Sequence, residues 1–79
     1  MLKLNSLEMP KAISGQEILK ALYKKGFTLR HGRGSHVVVE KEGVEPFVVP
    51  LHAELKKGTL NHIIKQSGDF KEEFFNKYF

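Results

Sequence analysis

Residues 27–40, FTLRHGRGSHVVVE, decide the fold of this chain. From Phe27 to Arg30 apolar and polar side chains alternate, which is typical of a strand with one face in water. The next four residues, His-Gly-Arg-Gly, form a turn bracketed by glycines, and residues 35–40 are rich in valines that favour a strand. The stretch therefore predicts a β-hairpin.

The alternation along the second strand predicts two different faces for this hairpin. If Val37 and Val39 face the core, then His36 and Glu40 point to the opposite side, because successive side chains of a strand alternate. Arg30 on the first strand is expected on that same side. The pattern thus predicts a histidine on an open sheet face beside basic groups.

A helix precedes the hairpin. Ser14 and Glu17 have the S-x-x-E spacing of a capping box, in which two side chains satisfy the free amide groups at the start of a helix. Apolar residues then recur every three or four positions as far as Gly26, a residue suited to the left-handed conformation that ends helices. The pattern predicts a helix over residues 15–25.

The later elements follow from similar signals. A turn at residues 41–43 leads into a predicted third strand over residues 46–49. Thr59 is the predicted N-cap of a second helix that ends at Gly68, and Asp69 is the predicted cap of a last short helix. The sequence therefore predicts an α+β fold in the order αβββα, with a three-stranded antiparallel sheet, helices on one of its faces and a short C-terminal helix.

The chain is short enough for one domain only. Its 79 residues divide into a predicted N-terminal arm (residues 1–13), a central domain (14–68) and a C-terminal helix that packs on that domain (69–79). There is no cysteine, no run of about 18 apolar residues and no apolar signal-peptide core near the start. We expect a cytoplasmic protein that does not enter a membrane.

Basic residues are concentrated in the first half. The net charge is +4, and no acidic residue lies between Ile18 and Val39. The same stretch holds Lys20, Lys24, Lys25, Arg30 and Arg33. A cluster of this kind favours phosphate groups, although a solvated helix face with unpaired lysines is the alternative interpretation.

The histidines are the best candidates for chemistry. None of the four forms a metal-binding pair, and the sequence has no paired-carboxylate or nucleotide-binding motif, so we predict neither a metal nor a cofactor. His36 opens a strand after a glycine-rich turn, where imidazole could take a proton from a ribose 2′-hydroxyl while Arg or Lys stabilises charge on the phosphate. The alternative is a ring that only caps the turn. His52 either supports His36 or pins the connection after the third strand by hydrogen bonding.

Short motifs span the chain from about Ser14 to Gly68. They are Lys25-Gly26-Phe27, Gly34-Ser35-His36, Val49-Pro50-Leu51-His52 and Lys57-Gly58-Thr59-Leu60. In this order and spacing they resemble the HicA toxin family. The resemblance implies a double-stranded-RNA-binding-like fold, ribosome-independent cleavage of mRNA and neutralisation by a HicB-type antitoxin.

The resemblance also implies roles for individual residues. It identifies His36 as the catalytic residue. We further predict Gly34 and His52 in supporting positions and Ser35 among the RNA-binding residues. Val37 stands where many members have a second histidine, so catalysis would rest on one histidine. The remaining predicted RNA-binding residues are Lys24, Lys25, Arg30, Arg33, Lys56 and Lys57.

Two other classes of function stay open. The chain could be an RNA-binding module of the same fold without catalysis, in which Lys56 and Lys57 matter more than His36. It could also be a protein-interaction domain whose open sheet face serves only a partner. The basic stretch argues weakly against this last possibility.

Overall fold

The computed structural model describes residues 13–68 and 71–78. In chain order the elements are α1 (Gly15–Lys25), β1 (Thr28–His31), β2 (His36–Lys41), β3 (Val44–Pro50), α2 (Lys57–Gln66) and α3 (Lys71–Tyr78). The strands form one antiparallel sheet in the order β1-β2-β3, so β1 and β3 are its edges. The predicted α+β fold, αβββα with an additional C-terminal helix, is confirmed.

The predicted capping box begins α1. The Ser14 hydroxyl oxygen accepts a hydrogen bond of 3.1 Å from the Glu17 backbone N–H, and the Ser14 backbone N–H donates to the Glu17 carboxylate at 2.9 Å. At the other end Gly26 has a φ of 108°, a left-handed conformation that is strained for residues with a Cβ. Both predicted boundaries of this helix are confirmed.

The core lies between the sheet and the helices. Val37 and Val39 on β2 are buried against the helical layer, whereas His36 before them is exposed. Contacts from α1 reach β1 and β3, and α2 packs on β3. The buried apolar residues are Ile13, Ile18, Leu19, Ala21, Leu22, Phe27, Val37, Val39, Val49, Leu55, Leu60, Ile63, Ile64, Phe74 and Phe75.

Element boundaries differ from the sequence-based prediction at the starts of the third strand and of α2, and α2 ends at Gln66 rather than at Gly68. The third strand begins at Val44 rather than residue 46, because Lys41 already pairs with Val44 at the end of the second hairpin. The prediction of Thr59 as N-cap of α2 is wrong: Lys56 is the N-cap, without a side-chain hydrogen bond. The Lys56 carbonyl accepts from the Leu60 N–H at 2.9 Å, so the backbone alone begins this helix.

The segments on either side of the predicted central domain contribute to the core. Ile13, which the sequence analysis assigned to the arm, is buried, and its carbonyl accepts a 2.7 Å hydrogen bond from the Leu55 N–H. Phe74 and Phe75 of α3 are also buried, with α3 packed on α1 and α2. Residues 1–12 of the predicted arm and the predicted cap Asp69 lie outside the described residues.

The described helices are 8 to 11 residues long. A transmembrane helix needs about 20 mostly apolar residues. Within residues 13–68 and 71–78, none of the helices has the length and apolar character to cross a membrane.

Gly15 joins the start of α1 to the end of β3. Its N–H donates to the His52 carbonyl at 2.9 Å, and a Cβ at this position would overlap the Pro50 carbonyl oxygen. The same Cβ would stand 3.1 Å from the Leu51 Cα. Only glycine therefore allows the two backbones to approach this closely.

We predict that Gly15→Ala destabilises the fold by about 1–3 kcal/mol, because rigid backbone atoms have to move away from the new methyl group. Thermal unfolding measures the change. Gly58→Ala is the matched control, since no atom lies within 4 Å of a Cβ at that helical position. The control should be neutral or stabilising by about 0.5–1 kcal/mol, and equal melting temperatures for the two variants would contradict the prediction.

Candidate active site

The face of the sheet opposite the helices carries the polar side chains predicted there. The Thr28 hydroxyl donates to the Glu40 carbonyl at 3.1 Å, and Arg30 Nε lies 3.2 Å from Glu40 Oε1. In the register of the strands Arg30 pairs with Val38, and His36 pairs with Pro50. Arg30, His36 and Glu40 therefore belong to one open face, as the alternation predicted.

Three backbone hydrogen bonds hold the turn that precedes His36. The Gly32 N–H donates to the His36 carbonyl at 2.9 Å, and the His36 N–H donates to the Arg33 carbonyl at 3.2 Å. The Leu51 N–H donates to the Ser35 carbonyl at 2.7 Å, which ties the turn to the chain after β3. These bonds fix the backbone from which the imidazole of His36 projects.

Two glycines make this turn possible. Gly34 has a φ of 57°, in the left-handed region. A Cβ at Gly32 would stand 2.9 Å from the His36 carbonyl oxygen, closer than real Cβ atoms come to backbone atoms. Gly34 thus has a conformational reason to be glycine, and Gly32 has a steric one.

The ring of His36 is held by one nitrogen. Its Nδ1 lies 3.2 Å from the Arg33 carbonyl oxygen. A carbonyl oxygen only accepts hydrogen bonds, so this contact favours the tautomer with the proton on Nδ1, in which Nε2 carries the lone pair. The residue is exposed. This arrangement gives an oriented imidazole whose basic nitrogen is the one that does not bond the turn.

Arg30 is the nearest of the predicted cations by strand register. Its pairing partner Val38 lies two residues along β2 from His36, roughly 7 Å at the usual strand rise. The side chains of Arg30 and Glu40 are 62% and 40% exposed, and ion pairs this exposed contribute only about 0.2–1 kcal/mol. A phosphate could therefore compete with Glu40 for this guanidinium.

The other predicted RNA-binding residues are spread over the molecule. Arg33 and Ser35 are exposed in the turn beside His36. Lys24 and Lys25 end α1 in the helical layer, and the Lys25 carbonyl accepts from Lys41 Nζ at 3.0 Å. The structure brings Arg30, Arg33 and Ser35 to the side of His36, and it does not bring Lys24 and Lys25 there.

Lys56 and Lys57 are exposed at the start of α2. The helix N-terminus adds unpaired N–H groups and a partial positive charge to these two lysines. They belong to the helical layer, and among the described residues no hydrogen bond or ion pair joins them to the turn of His36.

His52 combines an exposed ring with a structural backbone. Its carbonyl accepts the hydrogen bond from the Gly15 N–H, while its side chain is exposed. The prediction that His52 pins the connection by hydrogen bonding therefore applies to its main chain. Replacement of its ring leaves that bond in place.

The acceptor that orients His36 could not be predicted from the sequence. The acceptor is the backbone carbonyl of Arg33, and a carbonyl leaves no signal in residue types. Glu40 as a partner of Arg30 could be foreseen, because the alternation had already placed both on one face. In the described part of the chain, no group of three or more His, Asp or Glu side chains is arranged to hold a metal ion.

The chain is similar to known proteins in sequence and in structure. The family model described as HicA toxin of bacterial toxin-antitoxin matches residues 15–68. A chain of a toxin–antitoxin complex from Streptococcus pneumoniae is similar in structure, with 38% sequence identity and a TM-score of 0.64. The similarity covers 71% of this chain and 97% of that one. A comparison with curated proteins returned no match.

The family match extends from the first residue of α1 to the glycine that follows α2, and so includes the whole sheet and the turn of His36. It covers more than half of the sequence. This chain therefore belongs to the HicA toxin family of bacterial toxin–antitoxin systems.

Proposed function

We propose that this protein is an endoribonuclease that cleaves mRNA with His36 as its general base, and that a HicB-type antitoxin neutralises it. The observation that carries the proposal is the hydrogen bond from His36 Nδ1 to the Arg33 carbonyl. It orients the exposed ring and assigns the lone pair to Nε2, which is what a general base requires.

The proposed reaction begins at a ribose 2′-hydroxyl. Nε2 of His36 takes the hydroxyl proton, and the 2′ oxygen attacks the adjacent phosphorus. The bond to the 5′ oxygen of the next nucleotide breaks, and that oxygen takes a proton from solvent. The products are a 2′,3′-cyclic phosphate and a 5′-hydroxyl. Imidazole suits this step because it exchanges a proton near neutral pH.

Negative charge develops on the phosphate oxygens during the attack. Arg33 is exposed in the turn that holds His36, and Arg30 lies on the same open face. A guanidinium binds two phosphate oxygens at once, which stabilises the added charge. We assign Arg33 and Arg30 to this role, with Ser35 as a further hydrogen-bond donor to the RNA. Of the other predicted residues, Lys25, Lys56 and Lys57 would contact phosphates farther along the strand.

The antitoxin part of the proposal rests on the family and on charge. The similar Streptococcus pneumoniae chain comes from a toxin–antitoxin complex. This chain has a net charge of +4, which favours association with an acidic protein as well as with RNA. A partner that covers the open face would exclude RNA from His36.

We predict that His36→Asn lowers the RNA cleavage rate by about 100- to 10,000-fold, the usual contribution of a general base. Asparagine retains an N–H donor near the position of Nδ1, so the bond to the Arg33 carbonyl can persist while the base is lost. Because the residue is exposed, we expect the free energy of unfolding of the variant to change by no more than about 0.5 kcal/mol.

His31→Ala is the matched control for His36→Asn. His31 is exposed in the same hairpin and pairs with Val37, so it belongs to the other face of the sheet. It should leave cleavage unchanged. A folded and fully active His36→Asn variant would show that the ring only caps the turn. A wild-type protein that binds RNA without cleaving it would favour the non-catalytic RNA-binding module.

We also predict that RNA cleavage persists in EDTA at the rate seen without it. Proton transfer by imidazole and charge stabilisation by arginine need no divalent ion. The measurement is a cleavage time course on single-stranded RNA with the protein first dialysed against EDTA. Activity that returns only when Mg²⁺ or Mn²⁺ is added would contradict the mechanism.

RNA binding should weaken as salt concentration rises, because basic side chains release counterions when they contact phosphates. Arg33→Ala tests one such contact. The backbone N–H and the ring Nδ1 of His36 both bond the backbone carbonyl of Arg33, and not its side chain. The Arg33→Ala variant therefore removes charge and leaves the turn intact. The slope of log affinity against log salt should become shallower by about 1. An unchanged slope would remove Arg33 from the RNA interface.

A further inference from the structure

A groove of about 420 Å³ runs between α1 and β1, in the helical layer of the molecule. Apolar surface makes up most of its lining. The lining residues are Gln16, Leu19, Lys20, Tyr23, Lys24 and Leu29. This groove is separate from the turn of His36, because Leu29 pairs with the buried Val39 and so points to the helical side.

The floor of the groove exposes large apolar side chains. Tyr23 is 68% exposed and Leu29 is 42% exposed. Leu19 and Tyr23 stand four residues apart, on one face of α1, and Leu29 lies on an edge strand of the described sheet. Clustered apolar surface with a polar margin is characteristic of protein interaction sites.

Two lysines stand at the margin of this apolar surface. Lys20 and Lys24 are exposed one helical turn apart and repel each other at this spacing. No acidic residue lies between Ile18 and Val39 in the sequence, and the one acidic residue of the first turn, Glu17, bonds Ser14. A carboxylate supplied by a partner would bridge the two lysines.

We infer that this groove is the docking site of the antitoxin, which places an apolar or aromatic side chain on Tyr23 and Leu29 and carboxylates beside Lys20 and Lys24. The inference rests on the proposed function for the identity of the partner. Charge and apolar character together favour an acidic protein segment. An RNA strand in this groove would lie across the sheet from His36 and would not present its phosphates to that ring.

Binding of the purified antitoxin from the neighbouring reading frame tests the inference by calorimetry with the full-length chain. Tyr23→Ala should weaken the complex by about 10- to 100-fold, as loss of a central aromatic contact does. Lys20→Glu should weaken it by about 10-fold and reduce its salt dependence, because the partner's carboxylates now meet a negative charge. Both side chains are exposed, so neither change should unfold the protein.

Lys65→Glu is the matched control. Lys65 is exposed near the end of α2, away from the groove, and the substitution changes net charge by the same amount as Lys20→Glu. It should leave antitoxin affinity within about twofold, since rim or remote charges contribute little to a protein interface. The comparison separates a local contact from a general effect of charge.

RNA cleavage by the same variants separates this inference from the proposed function. Weakened antitoxin binding with normal cleavage supports the docking site. Normal antitoxin binding by both groove variants overturns it, and so does a loss of RNA binding with antitoxin affinity intact, which would assign the groove to RNA. If the wild-type chain binds antitoxin through the groove but cleaves no RNA, the docking site stands and the proposed reaction fails.

Discussion

One-sided burial of the sheet is the constraint on which the rest of the structure depends. Val39 and Val49 are completely buried and Val37 nearly so, all against the helical layer. Side chains alternate with a period of two, so a slip of one residue in β2 would expose Val37 and Val39 and bring His36 toward the core. The apolar free energy lost in that slip would be about 1.5–3 kcal/mol for each fully buried valine. Burial on one face thus fixes the position of a histidine on the other.

A second set of constraints holds the segment beside His36 in place. In the chain after β3, the His52 carbonyl accepts a hydrogen bond from the Gly15 N–H, and the Leu51 N–H donates a hydrogen bond to the Ser35 carbonyl. One short connection therefore bonds both the start of α1 and the turn of the candidate active site. Because the close approach at Gly15 leaves no room for a Cβ, helix packing and the geometry of the turn depend on the same contact. Gly15 therefore helps to hold the turn of His36, although it is remote from His36 in sequence.

Sequence patterns predicted the elements that are marked by local side-chain signals. They did not predict features that depend on contacts between backbone atoms. The capping box of Ser14 and the left-handed Gly26 gave both ends of α1, and the valine alternation gave the two faces of β2. The start of α2 was missed because Lys56 caps it without a side-chain bond. The carbonyl that orients His36 and the tight contact at Gly15 were also beyond reach, since neither depends on the kind of side chain present. His52 shows the same limit: its role in the fold belongs to its carbonyl and not to its imidazole.

The groove is separate from the candidate active site, and this separation constrains how an antitoxin bound in the groove can keep RNA from His36. His36 and Arg30 belong to the open face, while Tyr23 and Leu29 belong to the helical side, and edge strand β1 lies between the two surfaces. A partner anchored in the groove reaches His36 most directly around the outer edge of β1. Edge strands present backbone N–H and C=O groups that can pair with an added strand. An antitoxin that pairs with β1 could thus join an apolar anchor on one side of the sheet to an acidic cover on the other, where its carboxylates would occupy the positions of RNA phosphates near Arg30 and Arg33.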